Sequence, residues 1–372
     1  MSQALAPPAS RSPRPFASPS PKISSMATFT KFVRPEKPVG GQISERDLDI
    51  IEVVLRYRFS PASELVRLVG GNEDVTHRRL RKLWEWQLIN RFAFPGIHSH
   101  SEFIYYLDQK RALDALVQYE RLPEILSRMT DELDSNRTAD YAGAVIRGQY
   151  MQLGFLKHSL MISRLHFALE QACKKSGGRL TLDDFRQGGQ IARQKVSVPK
   201  VISSRGPDGY TWSEHDRAEE RLPVEPDALF TLRVAGQQLH FLYEADRGTM
   251  NSIDMLKKLR AYYHLIKKQQ KHKEAFGIHP VRAVLIETPD EARGQKLMEL
   301  IAHPLVTGLG QRAGLFWFTI SPLLTDRVVV DGRNTPLYLD KPEAILGPIW
   351  ALPDRTMLSL TDLENAPERR SA

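Results

Sequence analysis

The sequence predicts a mixed α/β fold, α+β overall, in which a small helical module closed by a β-hairpin precedes a larger mixed sheet flanked by helices. Three observations predict it. Apolar residues recur at helical spacing in three successive segments between Ser44 and Leu88. Two short β-type runs divided by Pro95-Gly96 follow directly. Beyond residue 150, strand-like runs alternate with helical ones, the pattern of a sheet covered by helices.

The first helix is predicted from Ser44, where a Ser-Glu-Arg-Asp start suits an N-terminal cap and Leu48, Ile51, Val54 and Leu55 form the packing stripe. Ser60 is expected to cap a second helix with Pro61 in its first turn, and Leu65, Leu68 and Val69 lead to a stop at Gly70-Gly71. A third helix starts near Asn72, Glu73 and Asp74 and reaches about Leu88. Ile89–Phe94 and Phe103–Leu107 supply the hairpin. Three helices followed by a hairpin is the order of a winged helix-turn-helix.

Downstream, a mostly polar helical connector leads to an amphipathic helix from Tyr150 to Lys175, ended by Gly177-Gly178. Strands are expected at Gln194–Val198, Ala228–Val234, Leu239–Ala245, Ala283–Glu287 and Leu315–Ile320. Helices are expected at Ile253–His272 and Asp290–Ala302. The resulting organisation is a basic Pro/Ser-rich tail (1–42), the winged-helix module (43–110), a connector (111–149), the α/β unit (150–350) and a loosely ordered end (351–372). The first 40 residues carry six basic side chains against the single acid Glu36, too polar to bury a core, and Met26 offers an alternative start.

Composition narrows the class. Hydrophobic residues at 41% and charged residues at 26% suit a globular chain and exclude a membrane or wholly disordered one. The lone Cys173 excludes a disulfide framework and reads as a core filler in a reducing compartment. With no apolar run of membrane-spanning length, the cytoplasm is the expected location and no membrane partner is expected. The net charge of +8 favours a polyanionic partner.

Helix three places Leu80, Leu83 and Trp84 on one face and Arg78, Arg79, Arg81 and Lys82 on the opposite arc. A solvated surface would explain that arc in an isolated helix. The capped helix before it and the hairpin after it favour double-stranded DNA, whose major groove accepts such a helix. His158 and His166, eight residues apart, read as buried, hydrogen-bonded histidines rather than metal ligands.

In the second unit, Pro226-Asp227 is followed by HFLYEADRGT, an apolar strand whose period-two geometry puts Glu244 and Asp246 on one face. Carboxylates gathered from adjacent strands bind Mg²⁺, so Asp227, Glu244 and Asp246 are the candidate metal ligands. Salt bridges to Arg247 or Lys258 are the competing explanation, of equal weight on spacing alone. The next helix, IDMLKKLRAYYHLIKKQQKHK, holds seven Lys or Arg against one Asp, making Lys257 and Arg260 candidate phosphate contacts.

Pro-Asp on one strand and Glu-x-Lys on the next is the signature of the PD-(D/E)XK nuclease superfamily, which this unit resembles with Glu-x-Asp in place of Glu-x-Lys. The resemblance implies a restriction-endonuclease-like sheet and a Mg²⁺-dependent endonuclease or nickase using Asp227, Glu244 and Asp246. The missing lysine would come from Lys257 or Lys258, with Lys258 the candidate. A helix carrying Glu170 precedes the strands in the family's element order. More specifically, PDALF, FLYEADRGT and KKLRAYY after a winged helix resemble the replication-relaxation family of plasmids and mobile elements. That implies a role in replication initiation or DNA relaxation, with a homo-oligomer or other replication or mobilisation proteins as expected partners. The alternative is a non-catalytic initiator or transcriptional regulator with a degenerate nuclease-like unit. A toxin or restriction effector is a third class, which predicts toxicity on expression.

Overall fold

Ser44 starts helix α1 (Glu45–Tyr57) by a reciprocal clasp, its amide and hydroxyl both donating to the Asp47 carboxylate at 2.7 Å. The computed structural model of the chain describes residues 34–37, 41–93, 102–107, 109–121, 151–206, 209–307, 314–320, 327–330 and 333–363. The expected N-terminal tail therefore lies mostly outside the described residues, as do the Pro95-Gly96 turn and most of the connector. Leu48, Ile51, Val54 and Leu55 face inward from α1, each at most 3% exposed.

The second helix starts differently from expectation. Ser60 and Pro61 form a short strand, β1 (Ser60–Pro61), paired with Tyr105 and Ile104, and helix α2 (Ala62–Val69) follows. Ser60 serves the sheet, so the first turn of α2 is satisfied by Glu102, which accepts from the Ser63 amide at 2.7 Å. Helix α3 (Glu73–Glu85) is capped by Asn72, whose side chain accepts from the Val75 amide at 3.0 Å. Strands β2 (Ile89–Ala93) and β3 (Phe103–Leu107) complete a three-stranded sheet in the order β1-β3-β2, and helix α4 (Gln109–Gln118) packs against α1.

Helix α5 (Met151–Lys175) leads into the second unit. Its strands are β4 (Leu180–Gln187), β5 (Gln194–Gly206), β6 (Gly209–Val224), β7 (Ala228–Val234) and β8 (Gln237–Ala245). Helix α6 (Ser252–Tyr263) passes into a π turn at His264–Lys268 and a short α7 (His272–Phe276), so the expected single helix to His272 is broken. Then come β9 (Val281–Thr288), α8 (Glu291–Ala302), β10 (Phe316–Ile320), β11 (Arg327–Val330), β12 (Arg333–Pro336), α9 (Leu337–Asp340), β13 (Trp350–Ala351) and β14 (Met357–Leu358).

Seven strands form one mixed sheet in the order β14-β13-β10-β9-β8-β7-β4, parallel only at β10-β9 and β9-β8. Alternate residues sort to its two faces. Phe230, Phe241, Tyr243, Leu285 and Trp317 join a core with α5, while Leu229, Leu242, Val284, Ile286 and Phe318 join another with α6 and α8. Each such side chain, buried, contributes roughly 1.5–3 kcal/mol. As far as residue 363 the chain departs from the expected loose end: Leu360 is fully buried, and β13 and β14 extend the sheet edge, while the remainder of 351–372 lies outside the described residues.

The two units share a core instead of meeting as separate modules. Leu48, Ile51, Tyr57 and Leu65 of the N-terminal module pack in the same cluster as Leu165, Leu169 and Phe230. Buried polar ties cross the seam: Ser163 donates to the Phe59 carbonyl at 2.8 Å and Tyr338 to Glu64 at 2.6 Å. The Gln187 side-chain amide donates to the Arg56 carbonyl at 3.0 Å. Cys173 fills the shared core, as its small apolar character suggests. Among the described residues no helix is long and apolar enough to cross a membrane.

Candidate functional site

The site grows from the place where β6 runs through Pro226 into β7, beside the end of β8. Asp227 immediately precedes β7, its amide bonded to the Tyr243 carbonyl at 3.0 Å, and its carboxylate accepts from the Ala245 amide at 2.8 Å. Glu244 lies at the end of β8, and Asp246 just follows the strand, where its amide reaches the Glu287 carbonyl at 2.9 Å and prolongs the register by one residue. Helix α6, capped by Asn251 through a 2.9 Å bond from the Asp254 amide, brings Lys258 and Tyr262 over the strand end. Helix α5 brings His158. Together these side chains, with Arg247, line a cavity of about 150 Å³.

The charges are compensated one by one. Lys258 and the Tyr262 hydroxyl both donate to Glu244. Arg293, from the first turn of α8, donates to Asp246 at 2.6 Å and again at 3.2 Å. His158 sits between the Ala245 carbonyl and Asp227, each 3.2 Å away. Burial and the Asp227 charge push Glu244 up to about 8, with Lys258 and Tyr262 pulling the other way. Burial also disfavours ionised Asp227, but His158, Lys258 and the Ala245 amide outweigh it and hold the carboxyl below its ordinary value. Lys258 loses from burial yet is raised by Glu244 and Asp227. The shifts of Glu244 and Lys258 compete for one proton. With two donors, Lys258 and the Tyr262 hydroxyl, aimed at Glu244, the ammonium–carboxylate arrangement is the one the hydrogen bonds satisfy.

The expected site residues fall into three groups. Asp227, Glu244 and Lys258 come together, with Lys258 in the position proposed for a migrated lysine. Asp246 lines the same cavity, but among the described residues no group of three or more His, Cys, Asp or Glu forms a metal-binding cluster. The Arg293 guanidinium occupies Asp246, so the expected three-carboxylate Mg²⁺ set would have to displace that ion pair. The competing expectation of salt bridges is met by Lys258 and, in place of Arg247, by Arg293. Glu170 lies away from the cavity, ion-paired with Lys174 at 2.8 Å and bonded by the Tyr57 hydroxyl. His158, Tyr262 and Arg293 were not identifiable as site residues from sequence. Only the tertiary fold brings them to the strand end.

The expected DNA contacts also divide. Arg78 and Lys82 are exposed on α3, and Arg81 is exposed with Glu85 at 2.9 Å. Arg79 instead folds back to pair with the buried Asp47 and lies 5.3 Å over Trp86. Lys257 pairs with Glu220 at 3.0 Å. Arg260 is fully buried, donating to the Leu305 carbonyl at 2.9 Å, the Pro199 carbonyl and Glu214. Its role is a correction to expectation: it ties the β5-β6 ribbon to α6 and faces no solvent.

A family model for replication-relaxation matches residues 54–281, more than half of the chain, from α1 through the acidic strand end to the start of β9. The chain belongs to the replication-relaxation family. Comparison with curated proteins and with solved structures gives no significant match. Within the matched segment lie α3, His158, Asp227, Glu244, Asp246 and Lys258, whereas Arg293 and Tyr338 fall beyond it. Family membership ties this replication-relaxation protein to the replication or relaxation of plasmids and other mobile elements, and hence to DNA.

Proposed function

We propose that the N-terminal module is a winged helix-turn-helix that binds double-stranded DNA of a plasmid or mobile element, and that the protein acts there in replication initiation or relaxation. The observation that carries this reading is α3: a capped helix, packed by Leu80, Leu83 and Trp84, that leaves Arg78, Arg81 and Lys82 exposed ahead of a β-hairpin. Family membership supports it independently. Replacing Arg78 and Arg81 by alanine is expected to weaken duplex binding in filter assays across several salt concentrations. Coincident curves for variant and parent would remove α3 as the reader.

A second reading, metal-dependent nicking, is favoured by one specific observation: Asp227, Glu244 and Lys258 line a single cavity. Mg²⁺ is commonly held by one or two carboxylates together with substrate phosphate, and half-buried Asp227 with buried Glu244 fits that demand. A cation there would offset the burial and the Asp227 charge that push Glu244 up. When bound, Mg²⁺ would supply Lewis-acid activation of phosphate and water. The chain's own part is to hold Asp227 in place through His158 and the Ala245 amide and to keep Lys258 charged beside it. Asp227→Asn is expected to abolish Mg²⁺-dependent nicking of supercoiled plasmid and to spare duplex affinity. A parent that never nicks, with Mg²⁺ or Mn²⁺ and a bound duplex present, would leave the non-catalytic initiator or regulator.

A further inference from the structure

Helix α5 joins the hairpin of the N-terminal module to the acidic cavity over a single stretch of two turns. Phe155, Leu156 and Leu160 pack with Phe59, Ile104 and Tyr106, the last two from β3. Phe59 also meets Phe155 edge-on at 6.1 Å. Between those residues, His158 turns to the cavity and touches Asp227 and the Ala245 carbonyl. A helix with its side chains is about 10–12 Å across, so contacts made through this one stretch of α5 hold the hairpin sheet and the cavity within about that distance of each other. A B-form duplex is wider than this separation.

The spacing is also rigid. Ser163, five residues on, bonds the Phe59 carbonyl, and His166 stacks between Tyr57 at 4.3 Å and Phe185 at 3.8 Å. Glu64 of α2 is fully buried, and Tyr338, from the far end of the second unit, is its hydrogen-bond donor. Swinging the module away would expose the apolar core shared by the two units and break the Ser163 and Tyr338 bonds, which is costly. The seam therefore behaves as packed core and not as a hinge between domains.

At the cavity mouth stands Arg247, half-buried and with no acid partner among the described residues, since Arg293 and Lys258 take the nearby carboxylates. A cation left uncompensated beside three compensated acids is suited to a phosphate. We infer that the hairpin and the mouth of the acidic cavity form one continuous surface for double-stranded DNA, in which Arg247 contacts the backbone flanking the α3 site at a constant offset from it. This inference rests on the DNA-binding reading above and adds the register between the two contacts.

Tethered cleavage tests it with the full chain. Cys173 is buried and its thiol is pushed up to about 11 by burial, with Glu170 and Asp183 adding to the effect. It is therefore poorly reactive, and a single introduced cysteine can carry an iron chelate. One probe is placed on α3 by His77→Cys, the other at the cavity rim by Met250→Cys, both at exposed positions. Random-core duplexes enriched on the parent protein are the DNA, and the cuts are mapped by sequencing. The expected result is two compact patches, the Met250 patch outside the His77 patch and at one invariant offset from it. A sharp His77 patch with scattered or absent Met250 cuts would overturn the continuous surface and leave the DNA-binding reading standing. Absent or scattered cuts from both probes would overturn the reading and the inference together. Arg247→Ala is expected to lower the salt dependence of binding by about one unit, and an unchanged slope would remove Arg247 from the surface.

Discussion

Glu64→Gln probes the seam through its dependence on pH. Glu64 is fully buried, its carboxyl is raised to about 8 by burial, and Tyr338, Arg164 and Ser163 only partly offset that, while Glu102 adds to it. A carboxyl raised on folding stabilises the protein fully below its unfolded value near 4.5, and that contribution is lost as pH climbs to about 8. The whole difference amounts to about 5 kcal/mol at 1.36 kcal/mol per pH unit. Glutamine cannot titrate, so the variant should lack this component while keeping an acceptor for the Tyr338 hydroxyl. Thermal melts of parent and variant between pH 5 and 8.5 are the assay. The stability difference should move steadily in favour of Glu64→Gln as pH rises, by a few kcal/mol over the window. A difference that stays constant with pH would refute a neutral, buried Glu64 and with it the argument that the seam shields an acid.

Three further outcomes are expected. Arg293→Ala leaves Asp246 buried without its guanidinium and should cost about 3–5 kcal/mol in a denaturant titration; a cost near zero would mean that Asp246 finds another partner. His166 is held neutral, lowered to about 3 by burial, with Arg56 in the same sense and Glu170 opposing. Its contribution is therefore present above pH 6.5 and is lost as pH falls toward 3. His166→Phe should flatten that acid limb in melts between pH 4 and 7, and an unchanged limb would contradict the stacked, neutral ring. Arg260→Ala should lower the melting temperature by removing three buried ties, and a variant as stable as the parent would return Arg260 to the surface.

What sequence revealed was whatever is local. Asn72 and the stripe Leu80, Leu83 and Trp84 announce α3, because cap and period are both read along one helix. Asp227, Glu244 and Lys258 were recognisable because a strand end and the following helix turn hold them within a few dozen residues. Arg79 and Arg260 were misjudged for one reason: a basic side chain looks the same in sequence whether it faces water or a buried partner. Only folding brings Asp47 to the first, and Pro199, Glu214 and Leu305 to the second. Ribbon strand β6 was hidden by SEHDRAEER, too polar for a strand with a buried face, because most of its side chains face solvent. Strand β4 was obscured by Asp183-Asp184 at a register shift against β7. Tyr338 lies 274 residues from Glu64, and no local pattern could announce that pair.

Helix α3 is the proposed DNA reader, and the salt dependence of duplex binding tests that role most directly. Log affinity against log salt should be measured for the parent, for Arg78→Ala with Lys82→Ala, and for Lys257→Ala. Removing the two α3 cations should reduce the slope by about two units, one for each lost phosphate contact. Lys257→Ala should leave the slope unchanged, because that lysine is engaged with Glu220 at 3.0 Å. A slope unaltered by the α3 pair but reduced by Lys257→Ala would contradict the account and move DNA recognition to α6.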